Sequence, residues 1–222
     1  MRPSDHPGSA ARTLQDGIRT LGLALGAREQ TSLLAYLALI ERWNRVYNLT
    51  AVRDPAQMLT QHLLDSLAIL GPLQRHTDGA PTAVLDVGSG AGLPGVVLAI
   101  AAPELQVACV DAVAKKAGFI RQAGAELGLV NLEALHARVE TLAPRCWDVI
   151  TSRAFASLAD FVALTEAVLA PGGVWLAMKG KHPHVEIDAL PSGVEVFHVE
   201  PLQVPGLDAE RCLVWLRRRR ME

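Results

Sequence analysis

The sequence predicts an α/β protein in which a helical N-terminal region leads into a seven-stranded sheet, parallel apart from an antiparallel edge. Three observations predict it. From Ala83 onward, short apolar runs alternate with longer amphipathic stretches, the pattern of strand–helix units with helices on both faces of a sheet. Before that point, apolar residues recur only at helical spacing. After five such units, two strand-like runs close the chain, separated by a loop rich in Pro and Gly.

Residues 1–12 are polar and rich in Pro, Gly and Arg, and are expected to be disordered. Leu14, Ile18, Leu21 and Leu25 mark a first helix, broken by Gly26. Leu33, Leu34, Leu37, Ile40, Trp43 and Tyr47 share one face of a second. Asp54-Pro55 reads as an N-cap followed by proline at the first helical position, opening a helix through Met58, Leu59 and Leu63. Gly71-Pro72 punctuates the apolar stretch from Leu67 to Leu73, and residues 75–81 read as a connector. Strands are expected at 83–87, 105–110, 132–136, 148–151, 174–178, 194–199 and 212–216. Helices are expected at 92–102, 114–127 and 157–169, with a last crossover helix between Lys181 and Pro191. The turn Pro171-Gly172-Gly173 precedes the fifth strand. The expected organisation is thus a disordered 1–12, a helical region 13–81 and a sheet domain 82–222.

Composition bounds the function. The chain has 222 residues, 50% of them hydrophobic, enough for a core without staples. Lys and Arg number 21 against 23 Asp and Glu, a formal charge of −2. That excludes a globally basic, histone-like binder but leaves room for a local phosphate-binding patch. Cys109, Cys146 and Cys212 are scattered and contain no C-x-x-C, which argues against a disulfide framework or a zinc motif and reads as three small buried apolar side chains. The first residues lack the apolar core of a signal peptide, and the longest apolar run, 92–102, contains Pro94 and is too short to span a bilayer. A soluble cytoplasmic protein with no membrane attachment is expected.

Chemistry concentrates at Gly88-Ser89-Gly90-Ala91-Gly92, which joins the first strand to its helix. Glycines allow a tight turn and close approach of backbone to a ligand, and the following helix offers free N–H groups. Asp111 ends the second strand, where a carboxylate accepts both hydroxyls of a ribose. Strand before, helix after and acid beyond point to a nucleoside-bearing cofactor. Asp86, inside the strand, would repel phosphates and suit an ammonium or sulfonium group, directly or through water. Leu93 stands where a dinucleotide motif needs glycine. Both features favour S-adenosylmethionine over NAD. The structural alternatives are a simple turn for the glycines, a capping or loop-ordering carboxylate for Asp86 and an ordinary strand-end acid for Asp111.

The stretch Asp86-Val87-Gly88-Ser89-Gly90-Ala91-Gly92-Leu93-Pro94-Gly95 resembles the loop of the small-subunit ribosomal RNA guanine-N7 methyltransferase family, also called glucose-inhibited division protein B. Further matches follow in family order: Trp43-Asn44, Asn48-Leu49-Thr50, the run from His62 to Leu67, and Val110-Asp111-Ala112 with Lys115-Lys116 and Phe119. Arg138-Val139-Glu140, the run from Ser152 to Ala156 and Met178-Lys179-Gly180 complete them. The resemblance implies a class I (Rossmann-like) seven-stranded methyltransferase sheet with a helical N-terminal region. It implies methyl transfer from S-adenosyl-L-methionine to N7 of one guanine in the 530 loop of bacterial 16S rRNA, with that RNA as partner, in a small ribosomal subunit or an assembly intermediate. Carried over residue by residue, Gly88, Leu93, Val139, Glu140 and Arg153 match cofactor positions. Asp86, Gly90, Gly92 and Asp111 join them from the loop argument.

Guanine N7 carries an in-plane lone pair and no proton, so attack on a sulfonium methyl needs no general base and depends on in-line positioning. N7 is inaccessible in A-form RNA, so the target is a splayed or flipped loop base. Base-positioning candidates are Asn44, Asn48, His62, Asp65 and Ser66. Each has a structural alternative: a helix cap or turn for Asn44 and Asn48, which are four residues apart, and a helix-end pair tying the two regions for His62 and Asp65. Arg153 is either a cofactor contact or the partner of Glu140 or Asp86. Trp43 reads as core, and Phe155 as base contact or packing. Arg42, Arg45, Lys115, Lys116, Lys179 and Lys181 flank the expected cleft edge as candidate RNA contacts, while 217–220 reads as a phosphate contact or a solvated basic tail. His182 and His184 lack a third ligand, so no metal is expected. Other classes stay open: a small-molecule or protein methyltransferase on the same sheet, a nicotinamide oxidoreductase, and a non-catalytic nucleic-acid module.

Overall fold

The computed structural model describes residues 7–219 apart from Pro144, Ala154 and Ala156. Helix α1 (Pro7–Thr20) begins well inside the segment expected to be disordered. Proline at its first position and the alanines that follow favour helix there, and Leu14 and Ile18 anchor it in the core. Residues 1–6 lie outside the described residues. Helix α2 (Ala27–Tyr47) buries Leu33, Tyr36, Leu37, Leu39, Ile40 and Asn44. Its stripe is therefore rotated from the expected face: Trp43 is half-buried against the core and Tyr47 is exposed.

Helix α3 (Pro55–Met58) starts as expected, with Asp54 accepting from the Ala56 amide and proline at the first position. It passes into a π-helical stretch, Leu59–Leu64, and then α4 (Asp65–Leu67). Helix α5 (Leu70–Thr77) runs through Gly71-Pro72 rather than breaking there. Pro72 sits in the first helical turn, where its missing N–H has no intrahelical role. The connector to the sheet is correspondingly short.

The sheet has the order β3-β2-β1-β4-β5-β7-β6. Strands β1 (Ala83–Val87), β2 (Gln106–Asp111), β3 (Leu132–His136), β4 (Trp147–Ser152) and β5 (Leu169–Lys179) are mutually parallel. Strand β7 (Cys212–Arg218) runs antiparallel between β5 and β6 (Val194–Pro201). The turn expected before the fifth strand lies within it: pairing with β4 jumps from Trp147↔Leu169 to Val149↔Val174, and Gly172 takes a φ of 78°. The supposed tail is sheet as well. Arg217 and Arg218 belong to β7, Arg217 paired with Glu195 and Arg218 bonded to the carbonyls of Glu166, Leu169 and Ala170, while Arg220 lies outside the described residues. Cys146, expected in the core, is exposed just before β4.

Helices α6 (Gly95–Ala101) and α7 (Ala114–Leu127) cover one face with α2 and the π-helical stretch. Helix α8 (Leu158–Thr165) with the 3₁₀ turn Glu166–Val168 covers the other, and α9 (His184–Asp188) is the short last crossover. Alternation in β1 sends Val84 into the first core and Leu85 and Val87 into the second. Asp86 shares the Val84 face, where it is fully buried. Strand order reverses between β1 and β4, and ligands of open α/β sheets bind beyond the carboxyl ends of strands at such a point.

Helix α6 packs onto β1 and β2 so closely that only glycine fits at its start. A Cβ at Gly95 would collide with Cys109 Sγ and stand 2.9 Å from Asp86 Oδ2. Overpacking of this kind costs about 1–3 kcal/mol. Gly95→Ala is therefore expected to lower the thermal midpoint by about 2–12 °C, measured by circular dichroism, at the 2–4 °C per kcal/mol typical of this size. An unchanged midpoint would show that α6 can shift freely on the sheet.

Candidate active site

Two clefts open at the carboxyl edge of the parallel strands. The first, of about 220 Å³, is mainly apolar and lies over β1 and β2, between Gly88, Asp111, Val139, Glu140 and Phe155. Gly88 brings the start of the glycine loop to its wall, and Gly88, Gly90 and Gly92 all have positive φ, at 68°, 59° and 84°. Asp111 organises the loop: one carboxylate oxygen accepts from the Gly90 amide at 2.9 Å, the other from the Val113 amide at 2.8 Å, and Lys116 approaches at 3.8 Å. Each oxygen retains a lone pair for a further donor. An apolar slot lined by two acids, Asp111 and Glu140, fits a nucleoside carrying a ribose diol.

The second cleft, of about 400 Å³, is polar and lies between the helical region and the ends of β4 and β5. Thr50, His62, Asp65, Arg153, Lys179 and Arg211 line it. Asp65 is buried and gripped by two guanidinium groups, Arg153 at 3.1 Å and Arg211 at 2.9 Å. Arg153 also donates to the Gln61 carbonyl at 2.9 Å. His62 is 3% exposed, and neither ring nitrogen has a hydrogen-bond partner among the described residues; the same holds for the buried Ser66 hydroxyl. Burial, reinforced by the Arg153 guanidinium, pushes the His62 imidazole down to about 4. His62 thus lines the polar cleft as a buried, neutral imidazole whose two ring nitrogens are shielded from solvent. A π-helical stretch at a cleft is a frequent mark of a functional position. Arg153 lines the polar cleft and Phe155 the apolar one, and Lys179 Nζ donates to the Phe155 carbonyl at 3.2 Å.

Among the cofactor candidates, Gly88, Asp111, Val139 and Glu140 meet at the apolar cleft, with Gly90 bonded to Asp111 behind them. Leu93 is buried in the core beneath the loop, and Gly92 packs against Tyr36 and Val96. Asp86 takes the geometry of its structural alternative. It accepts from the Gly95 amide at 2.8 Å, while its second oxygen is buried without a partner. Burial pushes its carboxyl up to about 7, although the Gly95 hydrogen bond opposes this. Arg153 pairs with Asp65 rather than with Glu140 or Asp86, and lies in the polar cleft. Arg138 holds Glu140 at 2.6 Å.

Asn44 and Asn48 do not act side by side. Asn44 is buried and closes the loop after α2, accepting from the Thr50 amide and donating to the Val52 carbonyl. Asn48 caps α2 in the left-handed conformation, and its side chain accepts from Arg53. Of the basic candidates, Arg42 is drawn to Glu126 at 2.9 Å. Glu126 lies eleven residues along α7 from Lys115, about 16 Å at 1.5 Å per residue, so the Arg42 guanidinium points away from the cleft edge. Lys179 is paired with Glu186 at 2.7 Å, whereas Arg45, Lys115 and Lys181 are exposed.

Two residues escaped the sequence reading. Tyr36 is fully buried, and its hydroxyl donates to the Ala91 carbonyl, so α2 touches the glycine loop directly. On an apolar stripe a tyrosine reads as core; the signal is that a buried phenol needs an acceptor. Arg211 sits in the loop before β7, and nothing in the sequence links it to Asp65 across 146 positions.

Comparison with known proteins bears on the family and the fold. The family described as rRNA small subunit methyltransferase G matches residues 29–214. The chain is 68% identical over 209 residues to ribosomal RNA small subunit methyltransferase G of Methylibium petroleiphilum, covering 94% of this chain and 95% of that protein. Among solved structures it resembles the N-methyltransferase NodS of Bradyrhizobium japonicum in complex with S-adenosyl-l-homocysteine, with TM-score 0.55 and 15% identity over 81% of this chain and all of that one. It also resembles TrmN of Thermus thermophilus, with TM-score 0.56 and 23% identity over 72% of this chain and 53% of that one. These two likenesses bear on the fold, a class I methyltransferase sheet.

The two shifted groups have opposite consequences for stability. His62 has a folded value near 4, below its ordinary 6.5. The stability it contributes is full above pH 6.5 and is lost as pH falls toward 4. Asp86 has a folded value near 7, above its ordinary 3.8. Its contribution is full below pH 3.8 and is lost as pH rises to 7. Urea unfolding between pH 4 and 6.5 should show the two opposing each other. Relative to wild type, His62→Gln should lose stability as pH rises and Asp86→Asn should gain it, each by roughly 2–4 kcal/mol across the window. Variant profiles parallel to wild type would contradict this assignment.

Proposed function

The chain belongs to the rRNA small subunit methyltransferase G family, and on that premise we propose that it methylates N7 of a guanine in the 530 loop of bacterial 16S rRNA, using S-adenosyl-L-methionine. The observation that carries this reading is the pairing of two unlike clefts, one lined by Arg153 and the other by Phe155. The apolar cleft, lined by Gly88, Asp111 and Glu140, suits an adenosine. The polar cleft, with His62 unpaired, suits a base.

When bound, S-adenosyl-L-methionine supplies an electrophilic methyl on a sulfonium. Asp111 would accept from its ribose hydroxyls, and Gly88, Val139, Glu140 and Phe155 would enclose its nucleoside. Asp86 and Arg153 act less directly on this reading. Asp86 fixes the start of α6, and Arg153 fixes Asp65 in the polar cleft. Guanine N7 has no proton to lose, so the chain's task is to hold the base and exclude water. His62 lines the cleft that would take the base, Ser66 is buried outside its lining, and Asp65 keeps the two arginines in place beside it. Asn44 and Asn48 then shape the loop carrying Thr50 and Val52, which lines the same cleft. Arg45, Lys115 and Lys181 are the proposed phosphate contacts. The proposed setting is the cytoplasm, on a small ribosomal subunit or an assembly intermediate; no described helix is long and apolar enough to cross a membrane.

Borohydride and aniline cleave RNA at N7-methylguanosine. Incubating unmethylated small subunits with protein and S-adenosyl-L-methionine should create one new cleavage site, in the 530 loop; no new site would refute the substrate. For the cofactor, Asp111→Ala should weaken S-adenosyl-L-methionine binding about 10–100-fold by calorimetry, as expected for hydrogen bonds to a charged group. Undiminished affinity would remove Asp111 from the site.

A further inference from the structure

A third cavity, of about 880 Å³, lies beside the polar cleft and has no role in the reading above. It falls at the ligand edge because β7 is antiparallel. Cys212 at the start of β7 pairs with Lys179 at the end of β5 and with Pro201 at the end of β6. The segment joining β6 to β7 therefore returns to the edge where the other two clefts open. Gly180 and Arg211 line both this cavity and the polar cleft, forming a shared wall. That wall is fixed: Arg211 Nε holds Asp65, and its NH1 holds the Glu210 carbonyl at 2.9 Å.

The cavity is built into the fold. Val204 is buried in the core, the Leu202 amide donates to the Arg211 carbonyl at 2.8 Å, and Gly206 lies against Thr60 of the π-helical stretch. Its lining includes Val199, Leu202 and Leu207, with the exposed acids Asp208 and Glu210. Apolar faces suit a flat ring, and carboxylates beside them repel phosphate while accepting from ring or exocyclic N–H groups. The volume falls in the range of small-ligand sites.

We propose that this cavity receives the nucleobase immediately flanking the target guanine, splayed from the RNA loop and separated from that guanine by Arg211. The inference rests on the guanine-methylation reading and gives it a second point of contact with the substrate. The paired cavities then select an unstacked two-nucleotide step rather than a single flipped base.

The test uses small subunits reconstituted with 16S rRNA that is abasic at the nucleotide before, or after, the target guanine. Removing the base on one side should raise KM for the subunit about tenfold and leave kcat within about twofold, since apolar contact is lost but chemistry is not. Ala209→Trp, which crowds the cavity, should raise KM for intact subunits comparably and abolish the difference between intact and abasic ones. Calorimetry with S-adenosyl-L-methionine would confirm that the variant is folded. Equal KM for intact and both abasic subunits overturns the inference alone and would leave the cavity to a protein segment of the subunit. No N7 methylation of intact subunits overturns the guanine reading itself, and this inference with it.

Discussion

A single buried carboxylate joins the two halves of this molecule. Asp65 follows the π-helical stretch, and it meets Arg153 from the end of β4 and Arg211 from the segment before β7. A carboxylate removed from water is costly unless its charge is matched and its lone pairs are used. Here two guanidinium groups match it, each also bonded to a backbone carbonyl. The helical region cannot slide over the sheet without stranding three charges. The polar cleft and the wall of the third cavity inherit their shape from this clamp.

A second, quieter tie runs through Tyr36. Its ring packs near Phe119 of α7, and its hydroxyl reaches the glycine loop. The loop's backbone is thereby held from above by α2 and from the side by Asp111. A loop with three glycines in left-handed conformations is intrinsically loose. Two side chains distant in sequence restrict it, so that it is ready for a ligand before one arrives.

Much of this was legible in the sequence where the pattern is local. Strands β1 and β3 and helix α7 fall at their expected residues, because short apolar runs and capped amphipathic stretches specify themselves. Glycine and proline misled in both directions. Gly71-Pro72 lies inside a helix because its first turn has no use for the missing N–H, and Pro171-Gly172-Gly173 lies inside an irregular strand. The apolar cleft was legible because its parts sit at strand ends. The polar cleft was only half legible. His62, Asp65 and Ser66 were visible as a cluster, but their surroundings depend on Arg211 and on a π-helical stretch that changes which way they face. Asn44 and Asn48, spaced for one helical face, diverge because α2 ends at Tyr47, between them, and Asn48 turns left-handed.

The ion pairs around the edge carry one more implication. Arg42, Lys116 and Lys179 are each matched by a carboxylate of the same chain, as are Arg217 and Arg218 on the outer strands. Such pairing lowers the net positive potential and leaves the exposed Arg45, Lys115 and Lys181 as the main attraction for a polyanion. Binding that displaces few counterions is correspondingly indifferent to the bulk of cellular nucleic acid. On the reading proposed above, selectivity then rests on the contour of the clefts more than on bulk charge.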